Sequence, residues 1–308
     1  MTAAIHPLQL EDTVEVSHVS HRLALGVLWI DALTRLPASG NLASDLETIG
    51  NRDCPLRFDL HPQSRHALPY AGRLARILVI AANEKDTTPP ATPADDQTRF
   101  ALRCFARRNL KADSYNTEND PRHYVPRRLA LIPVQTDGFP TATTANIRRA
   151  WLWPGAAFPL SANATVIRGR IRRGASMANA SSVAWARIVV TQPGAAPADF
   201  SAETQIGWAH GDDRGEFLVV LGAQAIPGGA VLPQTVQLRV WIFLPPSDAL
   251  DPADPLASLP LEQAGSDAIN DVLRGTEAPA TYIRQAPLDV TLKPGEALVM
   301  DDAALLFS

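Results

Sequence analysis

Imidazole is the commonest protein metal ligand and the commonest proton shuttle near neutral pH, so the histidines are the first residues to test for chemistry. His18 and His21 stand three apart in the run HVSH. On a strand that spacing puts them on opposite faces, and they share a metal only if the segment turns. His61 and His66 flank Pro62 and read as loop residues. Asp212 and Asp213 offer the hard oxygen ligands that calcium takes. They lie in Gly211-Asp212-Asp213-Arg214-Gly215, and a tight turn needs the same residues: Asp bonds its own backbone and Gly accepts positive φ. The turn explains the pattern without an ion.

Nucleophilic chemistry finds no frame. The sequence has no P-loop, no Gly-x-Gly-x-x-Gly, no His-Glu-x-x-His and no Gly-x-Ser-x-Gly. No spacing sets a nucleophile on a sharp strand-to-helix turn. The two cysteines, Cys54 and Cys104, form no Cys-x-x-Cys pair and read as reduced, buried, small hydrophobes. No catalytic residue, cofactor or metal site is expected, and the chain reads as non-enzymatic.

Two groups of residues suit binding. Arg148, Arg149, Arg168, Arg170, Arg172 and Arg173 form a local basic cluster. A solvated strand face accounts for it first and an acidic partner surface second, with Arg168, Arg170 and Arg172 as the candidate contacts. Nucleic acid comes third, because the net charge is −4 and no aromatic residues interleave these arginines. The second group is Trp151, Trp153 and Phe158, in IRRAWLWPGAAFPL. These aromatics either fill a seam between two domains or present a platform for a sugar or partner, together with Trp185 and Trp208. The seam weighs more, because large rings contribute so much buried area.

The elements that must position these residues are strands. In TVIRGR, Ile167 and Gly169 alternate with Arg168 and Arg170, and Ile171 and Arg172 continue the pattern, giving one apolar and one basic face. In VAWARIVV, Ala184, Ala186, Ile188 and Val190 point one way and Val183, Trp185, Arg187 and Val189 the other. After the Asp-Gly turn, Phe217, Val219 and Leu221 point inward. The order Ile167-Arg168-Gly169-Arg170-Ile171, Ala186-Arg187-Ile188-Val189-Val190 and Asp212-Asp213-Arg214-Gly215-Glu216-Phe217 resembles the carboxypeptidase regulatory-like domain, a transthyretin-like β-sandwich. The likeness covers about a fifth of the chain. It implies a scaffold or adhesive module without catalytic residues of its own, and fold analogy assigns no chemistry.

The rest of the chain agrees with an all-β protein of two β-sandwich domains with long loops. Prolines, 26 of them, are scattered among short β-rich runs, which argues against long helices. Residues 1–20 read as an N-terminal arm. The first sandwich spans 21–140, with strands at 23–32, 56–60, 73–81, 100–105 and, at a sheet edge between prolines, 124–134. Residues 83–98 are a polar loop, and 136–146 a linker. The second, carboxypeptidase regulatory-like sandwich spans 146–247 and includes the strongest strand pattern, VQLRVWIFL at 236–244. Residues 248–308 read as a C-terminal arm with a short helix, capped by Ser266 and stopped by Gly275, and a terminal strand carrying Leu288, Val290 and Leu292. Residues 256–308 are expected to make contacts away from the second sandwich, either on the first domain or on another chain.

No run of 18 apolar residues is present, so no membrane span is expected. The start, MTAAIHPLQLEDTVEVSH, has neither a basic head nor an apolar core, which points to the cytoplasm, with cell lysis or release inside a particle as the routes out. The function expected is a non-enzymatic structural component of a large protein assembly, a homo- or hetero-oligomer. Components of phage-tail-like contractile injection particles carry domains of the family resembled here. The alternative is a carbohydrate- or ligand-binding module using tryptophans.

Overall fold

The computed structural model describes residues 23–49, 52–53, 56–69, 74, 100–109, 114–131, 147–194, 198–222, 234–246, 250–265 and 267–308. The expected N-terminal arm, the loop at 83–98, the linker at 136–146, His18, His21 and Cys54 lie outside them. So does the strand expected at 73–81, apart from Leu74, which is buried.

The fold is all-β. The first half contributes β1 (Leu23–Asp31), β2 (Leu42–Ile49), β3 (Arg52–Asp53), β4 (Asp59–His61), β5 (Arg65–Pro69), β6 (Phe100–Ala106), β7 (Arg127–Leu131) and β8 (Ile147–Leu152). The second contributes β9 (Thr165–Arg170), β10 (Arg172–Arg173), β11 (Ser181–Ser182), β12 (Arg187–Gln192), β13 (Thr204–His210), β14 (Glu216–Leu221) and β15 (Val236–Leu244). The C-terminal segment adds β16 (Leu261–Gln263), the single helical turn α1 (Asp271–Arg274), β17 (Ile283–Arg284), β18 (Leu288–Leu292), β19 (Ala297–Val299) and β20 (Leu306–Phe307).

Two sheets enclose the first core. One runs β4-β5-β1-β8 and the other β16-β7-β6-β2-β3, and Trp29, Phe100, Leu102, Leu129 and Leu131 pack between them. In the second half β14-β9-β19 shares one buried cluster with β13-β12-β15, which β17 and β18 extend. Here the alternation seen in the sequence is realised: Ile167, Ile171, Ile188, Phe217, Val219, Leu238 and Val240 are all buried in one cluster. Gly169 has a steric reason. A Cβ there would lie 2.4 Å from Leu305 Cδ1 and 3.1 Å from the Phe217 ring, so only glycine lets the two side chains close over the strand.

Several expectations are corrected. Strand β8 pairs in parallel with β1, so residues 147–152 belong to the first half and not to a unit beginning at 146. Strand β7 is not an edge: β16 lies beside it, and its prolines fall outside Arg127–Leu131, so no strand N–H is lost. Leu60 is 53% exposed although Phe58 is buried: β4 spans only Asp59–His61 at the edge of its sheet, and all three of its residues are exposed. Alternation fails at 183–186 because Trp185 takes φ 62, so β12 begins at Arg187. Ser266 lies outside the described residues, and α1 is capped instead by Asn270, whose side chain accepts from Leu273 N–H at 2.8 Å. Gly275 stops it as expected, at φ 68.

The C-terminal segment is not an appendage. Its contact with the first half is real, through β16 on β7. The remainder adds to the second half, however: β17 and β18 pair with β15, β19 with β9 and β20 with β10. Leu292, Met300 and Leu305 complete the second core, and Ala264 and Leu273 the first.

Candidate functional site

The aromatic candidates lie inside. Trp151 is 6% and Trp153 7% exposed, and they cluster with Ala32 and with Ile30, Trp208 and Ile269, so they sit where the halves meet. Trp153 donates to the Arg274 carbonyl at 2.9 Å and stands 5.8 Å from the His210 ring. Trp185 is buried too. A stacking platform needs exposed rings, and these three provide none.

The basic cluster is divided. Arg148 is buried and Arg149 exposed on β8, away from the others. Arg173 donates to the Pro245 carbonyl at 3.0 Å. Arg172 lies on β10, its Nε 3.8 Å from the Asp302 carboxylate. Arg168 and Arg170 stay together on the outer face of β9, and there they line an open cleft of about 370 Å³.

Strand register builds this cleft. Arg168 stands opposite Leu218 on one side and Val299 on the other, while Arg170 stands opposite Glu216. Cross-strand partners share a face, so an apolar-basic-apolar row runs over the sheet beside an ion pair. Glu216 is delivered by the turn. The Asp212 carboxylate accepts from the N–H groups of Arg214 at 2.9 Å and Glu216 at 2.8 Å, and Gly215 takes φ 75.

The same turn anchors a loop from the first half. Tyr115 Oη and Thr117 Oγ1 donate to the Asp213 carboxylate at 3.1 and 2.8 Å, and Arg214 donates to the Thr117 carbonyl at 2.8 Å. That docking carries Arg122 to the cleft, where Arg122 and Arg170 both donate to Glu216. Burial alone would raise the Glu216 carboxyl, but the bonds from Arg170 and Arg122 override it and hold it below the usual range.

Three arginines, Arg122, Arg168 and Arg170, face two carboxylates, Glu216 and Asp302, leaving one positive charge in surplus. Among the described residues the Arg168 guanidinium makes no hydrogen bond or ion pair. Val299, beside it, is 68% exposed. The arrangement can hold an anion against an apolar floor. Among the described residues no three His, Cys, Asp or Glu side chains are grouped to hold a metal ion, and Asp212 and Asp213 serve the turn and its docking.

Sequence reasoning found Arg168 and Arg170 but missed Arg122, Glu216 and Val299. Glu216 was within reach, since pairing the two strands at the Asp-Gly turn sets it opposite Arg170. Arg122 and Val299 carry no local signal, because the first comes from a distant loop and the second from a three-residue strand.

No helix of the described residues is long and apolar enough to cross a membrane. No protein-family model matches the chain, and no curated protein matches its sequence. Among solved structures, the chain is aligned with a Bacteroides fragilis NCTC 9343 protein provisionally described as a cell adhesion protein, at 9% identity over 90% of this chain and 91% of that one, with a TM-score of 0.18.

Proposed function

We propose that this chain is a non-enzymatic assembly protein whose partner-facing surface is the arginine cleft. The observation that carries this reading is the Arg168 guanidinium, unpaired among the described residues and held between Leu218 and Val299. Arginine beside apolar side chains is enriched at protein interfaces, where a planar donor fork and a desolvated surround act together. The groups whose acidity the fold displaces strongly also fit a structural role. Tyr115 docks its loop on Asp213, Asp212 accepts from N–H groups inside the turn, and His210 donates from Nε2 to the Gly275 carbonyl at 2.9 Å, all outside the cleft.

The likeness of residues 165–221 to the carboxypeptidase regulatory-like domain supports a phage-tail-like contractile injection particle as the assembly to test first. The partners are then other subunits of that particle, or further copies of this chain. The test is co-purification from the native host followed by a density map of whatever the chain enters. A chain located in a particle supports the reading. A monodisperse monomer without partners in every condition, at native expression level, overturns it.

A further inference from the structure

The arginine cleft adjoins a sheet edge that no described strand covers. Strand β19 pairs with β9 alone among the described residues, and both Ala297 and Val299 are exposed. The pairing is parallel. The Glu296 carbonyl accepts from Val166 N–H at 3.2 Å, and Met300 N–H donates to the Arg168 carbonyl at 2.9 Å. Peptide groups alternate sides along a strand, so those of Glu296, Leu298 and Met300 face β9. The N–H and C=O groups of Ala297 and Val299 therefore face outward, away from the sheet. Edges of this kind are usually blunted by prolines, by charges on the strand or by a covering segment. Residues 297–299, Ala-Leu-Val, carry no proline and no charge.

The side chains next to this edge are selective. Val299 shares its row with Arg168, and Met300 and Leu218 complete the apolar surround. Glu216 shows how a carboxylate is held nearby, gripped by Arg122 and Arg170 together. Arg168 is the one guanidinium of the three without such a partner among the described residues.

We propose that β19 is a strand-addition site for an extended acidic segment of a partner protein. The segment's backbone pairs with the outward groups of Ala297 and Val299, and a Glu or Asp side chain crosses Val299 to accept from Arg168. Strand addition supplies affinity through main-chain hydrogen bonds and specificity through the side chains that alternate onto one face. The charge surplus selects an acid there, and the exposed Val299 selects an apolar neighbour beside it. This inference rests on the assembly reading above and names the chemistry of its partner.

The test uses the full chain and fluorescein-labelled peptides, followed by anisotropy. One peptide is Thr-Val-Glu-Val-Thr, and the other has Gln in place of Glu. The native chain is expected to bind the Glu peptide about tenfold or more tightly than the Gln peptide, the scale of a charge-assisted hydrogen bond. Arg168→Gln is expected to erase that preference, while Arg149→Gln, exposed on β8 and away from the cleft, keeps it. Val299→Pro removes an outward N–H together with the valine side chain, spares the backbone groups that pair with β9, and is expected to abolish binding of both peptides.

Equal affinity for the two peptides, no binding of the Glu peptide by the native chain, or full binding by Val299→Pro each overturns the proposal. Inorganic phosphate is the control ligand. Arg168-dependent phosphate binding without peptide binding makes the cleft a small-anion site and overturns strand addition. The two readings fail differently. If the Arg168→Gln, Val299→Pro double variant still enters a particle that the native chain enters, the strand-addition site is wrong and the assembly role stands. If the native chain enters no particle, the assembly role fails whatever the peptides do.

Discussion

Glu262 is gripped by Arg127 in a two-bond fork, Nε to Oε1 at 3.1 Å and Nη2 to Oε2 at 2.6 Å, with the arginine side chain fully buried and the glutamate side chain 4% exposed. Arg187, equally buried, donates to Oε1 of the same carboxylate at 3.2 Å. The three residues come from β7, β16 and β12, so one carboxylate ties the first half, the second half and the C-terminal segment together. The carbonyls of Trp151, Val272 and Leu273 take further Arg127 donors, and that of Trp185 takes one from Arg187. Glu262→Gln leaves two buried guanidinium groups without a counter-charge. It is expected to cost about 3–5 kcal/mol, the scale for breaking a buried ion pair from one side. Urea unfolding followed by tryptophan fluorescence measures it, and a loss below about 1 kcal/mol would show that the network is not the tie between the halves.

The same connections decide what truncation does. A chain ending at Pro260 loses the strand beside β7 and the strands beside β9, β10 and β15. It also loses Ala264 and Leu273 from one core and Leu292, Met300 and Leu305 from the other. Such a chain is expected not to fold cooperatively. Far-ultraviolet dichroism and a urea titration test this, and a sharp two-state transition in the truncated chain would restore the view of 261–308 as an appendage.

What the sequence made legible follows from strand length. Strands β9, β14 and β15 are six to nine residues long, enough for a period of two to be followed, and their inward faces could be read directly. Strands β16, β17, β19 and β20 have two or three residues each, too few for a period, and they exist because a neighbour's edge accepts them. The C-terminal segment therefore read as an arm. The cleft divides in the same way. Arg168 and Arg170 are visible as one face of an alternating strand, whereas Arg122 arrives only because Tyr115 and Thr117 dock on Asp213. The buried arginines were illegible for a different reason. Arg127 and Arg187 look like surface residues until Glu262 is placed beside them.

The packing at Gly169 gives a paired prediction. Phe217→Ala empties a site 1% exposed and is expected to cost about 3–5 kcal/mol. Gly169→Ala adds a methyl where Leu305 Cδ1 stands 2.4 Å and the Phe217 ring 3.1 Å away, and is expected to cost about 1–3 kcal/mol through overpacking. Because the two residues share the contact, the double variant should cost less than the sum of the single ones. Strict additivity in a double-mutant cycle would mean that Gly169 is not held by the Phe217 ring.

Two buried groups should give stability opposite pH slopes, and single variants separate them. His66 Nδ1 accepts from Ser44 Oγ at 2.6 Å and from Trp29 Nε1 at 3.3 Å, and the same Trp29 N–H donates to Ser44 Oγ at 2.9 Å, so a proton on Nδ1 would oppose the Trp29 N–H and force the Ser44 bond to reverse. Burial first, and the Arg107 charge second, bring its pKa down to about 4. A depressed folded pKa means that its contribution is complete above the ordinary histidine value and is lost as pH falls from about 6.5 to about 4. Asp212 runs the other way. Burial, and behind it the neighbouring Asp213 charge, raise its pKa to about 7. Its contribution is complete below the ordinary value of 3.8 and is lost as pH rises toward 7. Asp212→Asn keeps an oxygen for the Arg214 and Glu216 N–H groups but cannot ionise. It should gain stability relative to the native chain as pH rises from 4 to 7, then level off. His66→Asn keeps an acceptor for Ser44 and Trp29 and should gain relative stability as pH falls from about 6.5 to about 4. Urea midpoints measured at half-unit intervals from pH 4 to 8 test both. A constant offset between either variant and the native chain across that range would show that the group does not titrate as its burial demands.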